Sequence, residues 1–315
     1  MRVLEDLLGD ATAGDPISGI KWTRKTVRRL SRELRGRGLH IGRTTVRRLL
    51  RERGYALRVN RKRKTKRQDP RRDRQMQYIA RARRTFKKAG FPVVSVDAKK
   101  RELVGDFRNA GRTWRRKALE VLATDFRRDA EGVAIPYGVY DVARNEGYVT
   151  IGTAHETPAF AGAALRRWWK RAGQPTYGDQ AHVLIEADDG GANDSRCWRW
   201  KWELQQMADE FQIAITVTHY PAGASKWNPV EHRLFSPISL NWAGQPLVSY
   251  ETILKFIRTT QTETGLWCRA WLDPRDYPTG LKITAEQKAE INLKPHRVFP
   301  NWNYTIEPHA ITQKK

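Results

Sequence analysis

Three carboxylates stand at positions in this 315-residue chain where a carboxylate can do chemistry. Asp97 ends the β-branched run "FPVVSVDAKK", Asp188 closes "AHVLIEADDGG" just before paired glycines, and Glu231 lies within "SKWNPVEHRLF". Hard oxygen ligands of this kind suit Mg2+ or Mn2+, and two such ions can activate a water or hydroxyl while stabilising a leaving oxygen. Each acid also has a plainer reading. Asn-x-x-Glu is the spacing of a helix capping box, and aspartates at strand ends are common turn formers.

The elements that would position them decide between these readings. In the first run Val94 and Val96 point one way and Val93, Ser95 and Asp97 the other, so Asp97 sits at the mouth of a strand. Strands are expected over 118–126 ("ALEVLATDF"), 135–142 and 147–155, with "ARNEG" as a hairpin turn between the last two. A helix follows from Pro158, capped by Thr157, with Phe160, Ala164, Leu165, Trp168 and Trp169 on one face. The chain then returns to the strand ending at Asp188. Next come a helix from about Asp194 to Phe211, with Trp200, Leu204 and Met207 on its stripe, and the strand "IAITVTHY". Asn228 as N-cap and Pro229 at the first position open a last helix, with Val230, Leu234 and Ile238 inward and Glu231 in its first turn.

Strand, hairpin strands, helix, strand, helix, strand, helix is the order of a ribonuclease H-like fold. This is an α/β domain with a mixed central sheet flanked by helices. In it the first strand and a later central strand lie side by side, and their terminal acids join one from a following helix around two divalent metals. The expected organisation is a helix-turn-helix region over 1–57, a basic linker and helix over 58–90, the catalytic domain over 91–260 and a C-terminal extension over 261–315.

Charge divides the chain in the same way. Residues 1–90 carry 29 Lys and Arg against 8 Asp and Glu, which is +21 of the whole chain's +25. Such asymmetry argues for a basic module that meets a polyanion. "TRKTVRRLSREL" places Val27, Leu30 and Leu34 at helical spacing with Thr23 as cap, and Gly36 and Gly38 as its end. "TTVRRLLRERG" gives a second helix capped by Thr44 and stopped by Gly54. As an all-α helix-turn-helix unit these would offer Arg43, Arg47, Arg48 and Arg51 to a DNA groove. Arginine-rich hairpins also serve as solvated faces or protein-binding arms. Residues 58–75, including Arg61, Lys62, Arg63 and Lys64, carry too much like charge to build a core and read as a linker ordered on phosphates. Two cysteines, Cys197 and Cys268, with no C-x-x-C pair, suggest neither a disulfide framework nor a structural zinc site. No apolar run approaches a membrane span, and "MRVLEDLLGD" lacks the pattern of a secretion signal. A cytoplasmic protein with no membrane partner is the expectation.

Longer motifs carry a resemblance. "PISGIKWTRKTVRRLSREL", "SVDAKKRELVGDFRNAGRTWR", "IPYGVYDVARNEGYVTIG", "HYPAGASKWNPVEHRLFSPISLNWAGQPLVSYE" and "NWNYTI" resemble the DDE transposases of the ISAzo insertion-sequence group, also called Rhodopirellula-type transposases. The Asn-Pro-Val-Glu step is also similar to that of mariner-type transposases. The resemblance implies that Asp97, Asp188 and Glu231 are both the catalytic residues and the metal ligands, with two Mg2+ or Mn2+ ions. It implies phosphodiester hydrolysis at element ends followed by 3'-hydroxyl strand transfer. The implied partners are double-stranded DNA, as terminal inverted repeats and target, and further copies of the chain in a homodimer or higher oligomer. A bacterial cytoplasm, with attachment to the nucleoid through DNA, is the implied location. Two departures stand out. The family pattern has a glycine after the second acid and a small polar residue two before it, where this chain has Asp189 and Glu186. Extra negative charge there could raise carboxylate pKa values or alter metal affinity, or both residues could point into solvent and do nothing. Family members also carry a further helix-turn-helix segment upstream, so the chain is expected to be truncated at its start.

Lys99, Lys100 and Arg233 are candidates for DNA backbone contacts, since a strand mouth receiving DNA needs cations beside its acids. His232 could orient a phosphate, or be an exposed histidine at a helix start. Trp168, Trp169 and Trp200 read as core, whereas Trp227 and Trp198 fall outside the apolar stripes and could stack on an unpaired base. Two competing functions stay open: a decayed or repurposed DNA-binding copy, and a ribonuclease H-like nuclease without strand transfer.

Overall fold

In the computed structural model, which describes residues 3, 4, 7, 12–14, 21–23, 25–56, 69–178, 180–224 and 227–310, the chain forms two units, Met1–Lys64 and Thr65–Lys315. In the first, strands β1 (Thr12–Gly14) and β2 (Lys21–Thr23) pair antiparallel, followed by helices α1 (Val27–Gly36) and α2 (Arg43–Glu52). Leu30, Leu34 and Val46 interlock with Leu4 and Leu7 to make its core. The ribbon corrects the all-α expectation. Both caps also differ from those expected. Thr23 lies in β2, and Thr26, in extended backbone, accepts from Arg29 N at 3.2 Å and caps α1. The extended backbone of Gly42 starts α2, which puts Thr44 inside the helix. Arg61, Lys62, Arg63 and Lys64 lie outside the described residues.

The second unit opens with α3 (Arg72–Lys88), which begins inside the segment read as linker. Its buried Gln75 explains the early start: the side-chain amide donates to His219 O at 2.9 Å and to Asn303 Oδ1 at 2.8 Å. The strands of this unit are β3 (Val93–Ala98), β4 (Glu102–Val104), β5 (Gly132–Asp141), β6 (Glu146–Gly152), β7 (His182–Ala187), β8 (Ala214–His219), β9 (Trp267–Asp273), β10 (Leu293–Pro295) and β11 (Asn303–Ile306). They form one sheet in the order β10-β11-β8-β7-β3-β5-β6-β9, with β4 beside β5. Strands β8, β7 and β3 run parallel, and β5 is antiparallel to both β3 and β6. That central arrangement is the ribonuclease H-like topology. Residues 261–315, expected as an extension, supply β9 on one edge and β10 and β11 on the other.

Helices cover both faces, which is why the central strands read as continuous apolar runs. On one face α4 (Pro158–Trp168) and α5 (Trp198–Phe211) bury Trp168, Trp169, Trp200 and Leu204 against Val94 and Val96. On the other, α6 (Ser236–Asn241) and α7 (Tyr250–Arg258) bury Ile238, Ile253 and Ile257 against Tyr140 and Val149. A short helix, α8 (Ala285–Ala289), precedes β10 and is closed by a capping box from Thr284 and Gln287.

One expected strand is absent. Residues 118–126 are irregular and expose Leu119, Leu122 and Phe126. Their alternating pattern suits a strand, but β4 follows β3 directly and takes the adjoining edge of β5, pairing Glu102 with Ala134. The edge of β5 beside β3 is therefore already taken when the chain reaches this segment.

Candidate active site

Strand register brings the first two acids together. Val96 pairs with Ala187 across the parallel β3–β7 ladder, so Asp97 and Asp188 leave adjacent strand ends, about 4.8 Å apart in strand spacing. Asp97 is buried, and its Oδ1 accepts from Ala98 N at 2.7 Å.

Glu231 arrives from the far side of the chain through a polar clasp. The buried Ser95 hydroxyl donates to Asn228 Oδ1 and accepts from Val230 N at 2.9 Å, while Asn228 Nδ2 donates to Val96 O at 3.3 Å. Asn228 thus does not cap its own helix with its side chain. It ties the helix start to β3, and Ser95 takes over the exposed helix N–H. The residues after it form a π-helical turn, Glu231–Phe235, leading into α6. Pro237 gives the reason, since its ring would clash with the carbonyl four residues back in a regular helix. A second π-helical turn, Trp169–Gly173, also ends two residues before a proline, Pro175. Leu234 and Phe235 then press onto bare backbone: a Cβ on Gly147 or Gly138 would meet them at 2.3 and 2.6 Å.

The capping-box reading of Glu231 gives way to a different contact, because its carboxyl is within hydrogen-bonding reach of Asp97. Burial, with the charges of Asp188 and Glu231, pushes the Asp97 carboxyl up to about 9. Burial, with Asp189, Glu156 and Glu231, pushes Asp188 up to about 6, against the opposing hydrogen bond from Asn193. No cation stands among the principal influences on either acid. Among the described residues no three His, Cys, Asp or Glu side chains stand grouped so as to hold a metal ion as they lie. An oxygen-only donor set with uncompensated mutual repulsion fits hard divalent cations.

The two departures behave differently. Glu186 points away into a buried ion pair, receiving both guanidinium arms of Arg83, one at 2.7 Å from Nε, with Tyr220 OH at 3.0 Å. Its charge is neutralised, which corrects the expectation that it would load the acidic cluster. Asp189 accepts from Ser195 N at 3.0 Å and Trp302 Nε1 at 2.9 Å, so it shapes the loop, yet its field reaches Asp188.

Of the basic candidates, Lys99 is half-buried, paired with Glu102 and lying 4.7 Å over the Trp242 ring, whereas Lys100 and Arg233 are exposed. Arg43, Arg47, Arg48 and Arg51 are exposed on α2, with Arg48 joined to Glu52 at 3.1 Å. His232 is exposed, as is Trp227 at 53%. Trp198 packs under Lys288 and Lys201, at 4.1 and 4.6 Å from its ring.

Several residues at the site escaped the sequence reading. Glu156 is a fourth, half-buried carboxylate beside Asp188, and a Cβ on Gly191, whose φ is +56°, would come within 2.5 Å of it. Asn193 joins Asp188 Oδ1 at 3.4 Å to the buried Tyr137 hydroxyl at 2.8 Å. His219, fully buried, donates from Nδ1 to Asp188 O at 3.0 Å, because a carbonyl can only accept. Its Nε2 then accepts from Tyr304 OH, which accepts from Trp200 Nε1, both at 3.1 Å. The "NWNYTI" tail thereby fixes the strand end that carries Asp188. Only the "DGG" signature beside Asp188 hinted at such a loop.

Fold and site together define a ribonuclease H-like domain with acids gathered at its central strand ends. The chain belongs to the family described as the Rhodopirellula transposase DDE domain, whose sequence model matches residues 3–308. Solved structures similar in fold include "Mos1 transposase paired-end complex with left transposon end", at 17% identity over 81% of this chain and 69% of that one, TM-score 0.45. Another is "Crystal structure of the Mos1 mariner paired end complex with Mn", at 17% identity over 82% and 69%, TM-score 0.43. No curated protein matches significantly.

Proposed function

We propose that this chain is an active DDE transposase: it hydrolyses a phosphodiester at the ends of its element and directs the freed 3'-hydroxyl into target DNA. One observation carries the reading. Acids leave the adjacent ends of β3 and β7 beside the helix turn that carries Glu231, and burial with the neighbouring carboxylates raises the proton affinity of Asp97 and Asp188.

Asp97, Asp188 and Glu231 would hold Mg2+ or Mn2+, which when bound supplies Lewis-acid stabilisation of the leaving oxygen and an activated water or 3'-hydroxyl. The chain's own residues do the rest. The Ser95–Asn228 clasp sets Glu231 against Asp97, and Asn193 with His219 fixes Asp188 at both its side chain and its carbonyl. Asp97, protonated near neutrality, must release its proton to become a ligand. Lys100 and Arg233, both exposed, would meet phosphates beside the acids, and exposed Trp227 would stack on an unpaired base. Arg43, Arg47, Arg48 and Arg51 would bind the element ends as duplex DNA, and bringing two ends together calls for at least a homodimer. No helix among the described residues is long and apolar enough to cross a membrane.

The test is incubation of labelled duplex carrying the element ends with the protein and Mg2+ or Mn2+. Joined products support transposition. Nicks without joining reduce the chain to a nuclease, and bound but uncut DNA to a DNA-binding copy.

A further inference from the structure

Away from the acids, α4 and the segment after β9 frame a groove of about 310 Å3 lined by Ala163, Arg166, Arg167, Lys170, Arg171 and Arg275. Its cations come largely from one stretch, "RRWWKR", in which the two tryptophans point into the core and the charges point out. Buried acids hold several of them in fixed directions. Asp273, fully buried, accepts from Arg167 at 3.0 Å and from both guanidinium arms of Arg275 at 2.8 and 2.7 Å. Arg166 meets Glu203 at 3.1 Å and Glu210 at 3.4 Å, and Lys170 meets Glu210 at 2.6 Å. Counting Arg199, which also pairs with Glu203, six cations face three carboxylates, leaving the cluster at +3. Lys170 and Arg275 remain more than half exposed, and Arg171 is exposed with no carboxylate partner among the described ion pairs.

Position gives the groove its meaning. Ala98 pairs with Tyr137, Ile135 with Gly152, and Gly152 with Asp273, so the anchor acid and Asp97 lie at the same end of the sheet. Three strand spacings and three residues of strand rise separate them, roughly 17 Å. That is about five base-pair steps of duplex rise. Arginines pinned by a carboxylate on one side present their remaining N–H groups in a fixed fork, the geometry that suits phosphate oxygens.

We propose that the α4–β9 groove binds the phosphodiester backbone of DNA a few base pairs from the bond on which the acidic cluster acts. The choice of DNA as occupant rests on the function proposed above. The test replaces two exposed cations that do not hold Asp273 or Glu203, Lys170→Gln with Arg171→Gln, and an unchanged melting temperature shows that the fold is kept. Affinity for duplex DNA is measured against salt without divalent metal. Loss of two phosphate contacts lowers the slope of log K against log salt by about 1.8 in the double variant. Wild-type binding with the same slope in the variant overturns the groove. Wild-type protein with no salt-dependent binding overturns the DNA reading itself, and this occupant with it. Inorganic phosphate is the second arm: phosphate binding that the double variant loses, together with an unchanged DNA slope, makes the groove a free-phosphate site and overturns the backbone assignment.

Discussion

Replacing Asp97 by Asn isolates the electrostatic tension of the site. An unfolded aspartate titrates near 3.9, whereas folded Asp97 is pushed up to about 9, so the folded protein keeps a proton that the unfolded chain gives up. The sign follows directly: the acid costs nothing below about pH 4, and stability drains away as pH rises toward about 9. At the limiting slope of about 1.4 kcal/mol per pH unit, the loss between about pH 5 and pH 8 is on the order of 4 kcal/mol. For a unit of this size that is roughly 8–16 °C in melting temperature. Asn keeps the shape and removes the charge. Metal-free Asp97→Asn should therefore lack this loss, so that its melting temperature gains on that of wild type by about that amount between about pH 5 and pH 8. Added Mg2+ should raise the melting temperature of wild type near pH 8 and leave the variant unmoved. Parallel pH profiles for the two proteins, or equal stabilisation of both by Mg2+, would refute the reasoning.

Two further outcomes follow from the buried network. Arg83→Met strands the Glu186 carboxylate in a fully buried position and should cost about 3–5 kcal/mol in denaturant unfolding, most of it recovered in the double variant with Glu186→Leu. Ser95→Ala leaves Val230 N and Asn228 Oδ1 without their partner. It should cost about 1–3 kcal/mol and reduce strand cleavage at unchanged DNA affinity, read by comparing gel-shift binding with cleavage rate.

The parts of this fold that could be read from sequence were those with a strong local period. The strand carrying Asp97, the helix stripes of Trp168 and Trp200, and the inward set Val230, Leu234 and Ile238 all lie buried as their spacing implies. What could not be read depends on partners far along the chain. The clasp joins Ser95 to Asn228 across 133 positions, and Glu186 is neutralised by Arg83 across 103. Residues 118–126 show why a local pattern is insufficient: their alternation satisfies a strand, but the edge they need belongs to β4. Glu156 and Asn193 had no pattern of their own, since loops, not a periodic element, bring them to Asp188.

The central claim is that Asp97, Asp188 and Glu231 act as one metal-binding catalytic set. The most direct measurement compares Mg2+-dependent nicking and joining of element-end DNA by wild type, Glu231→Gln and a control, Glu263→Gln, whose carboxylate is exposed in the turn before β9. The account predicts joined products from wild type and from the control, and none from Glu231→Gln although it binds DNA normally. Wild-type products that persist in Glu231→Gln would contradict it.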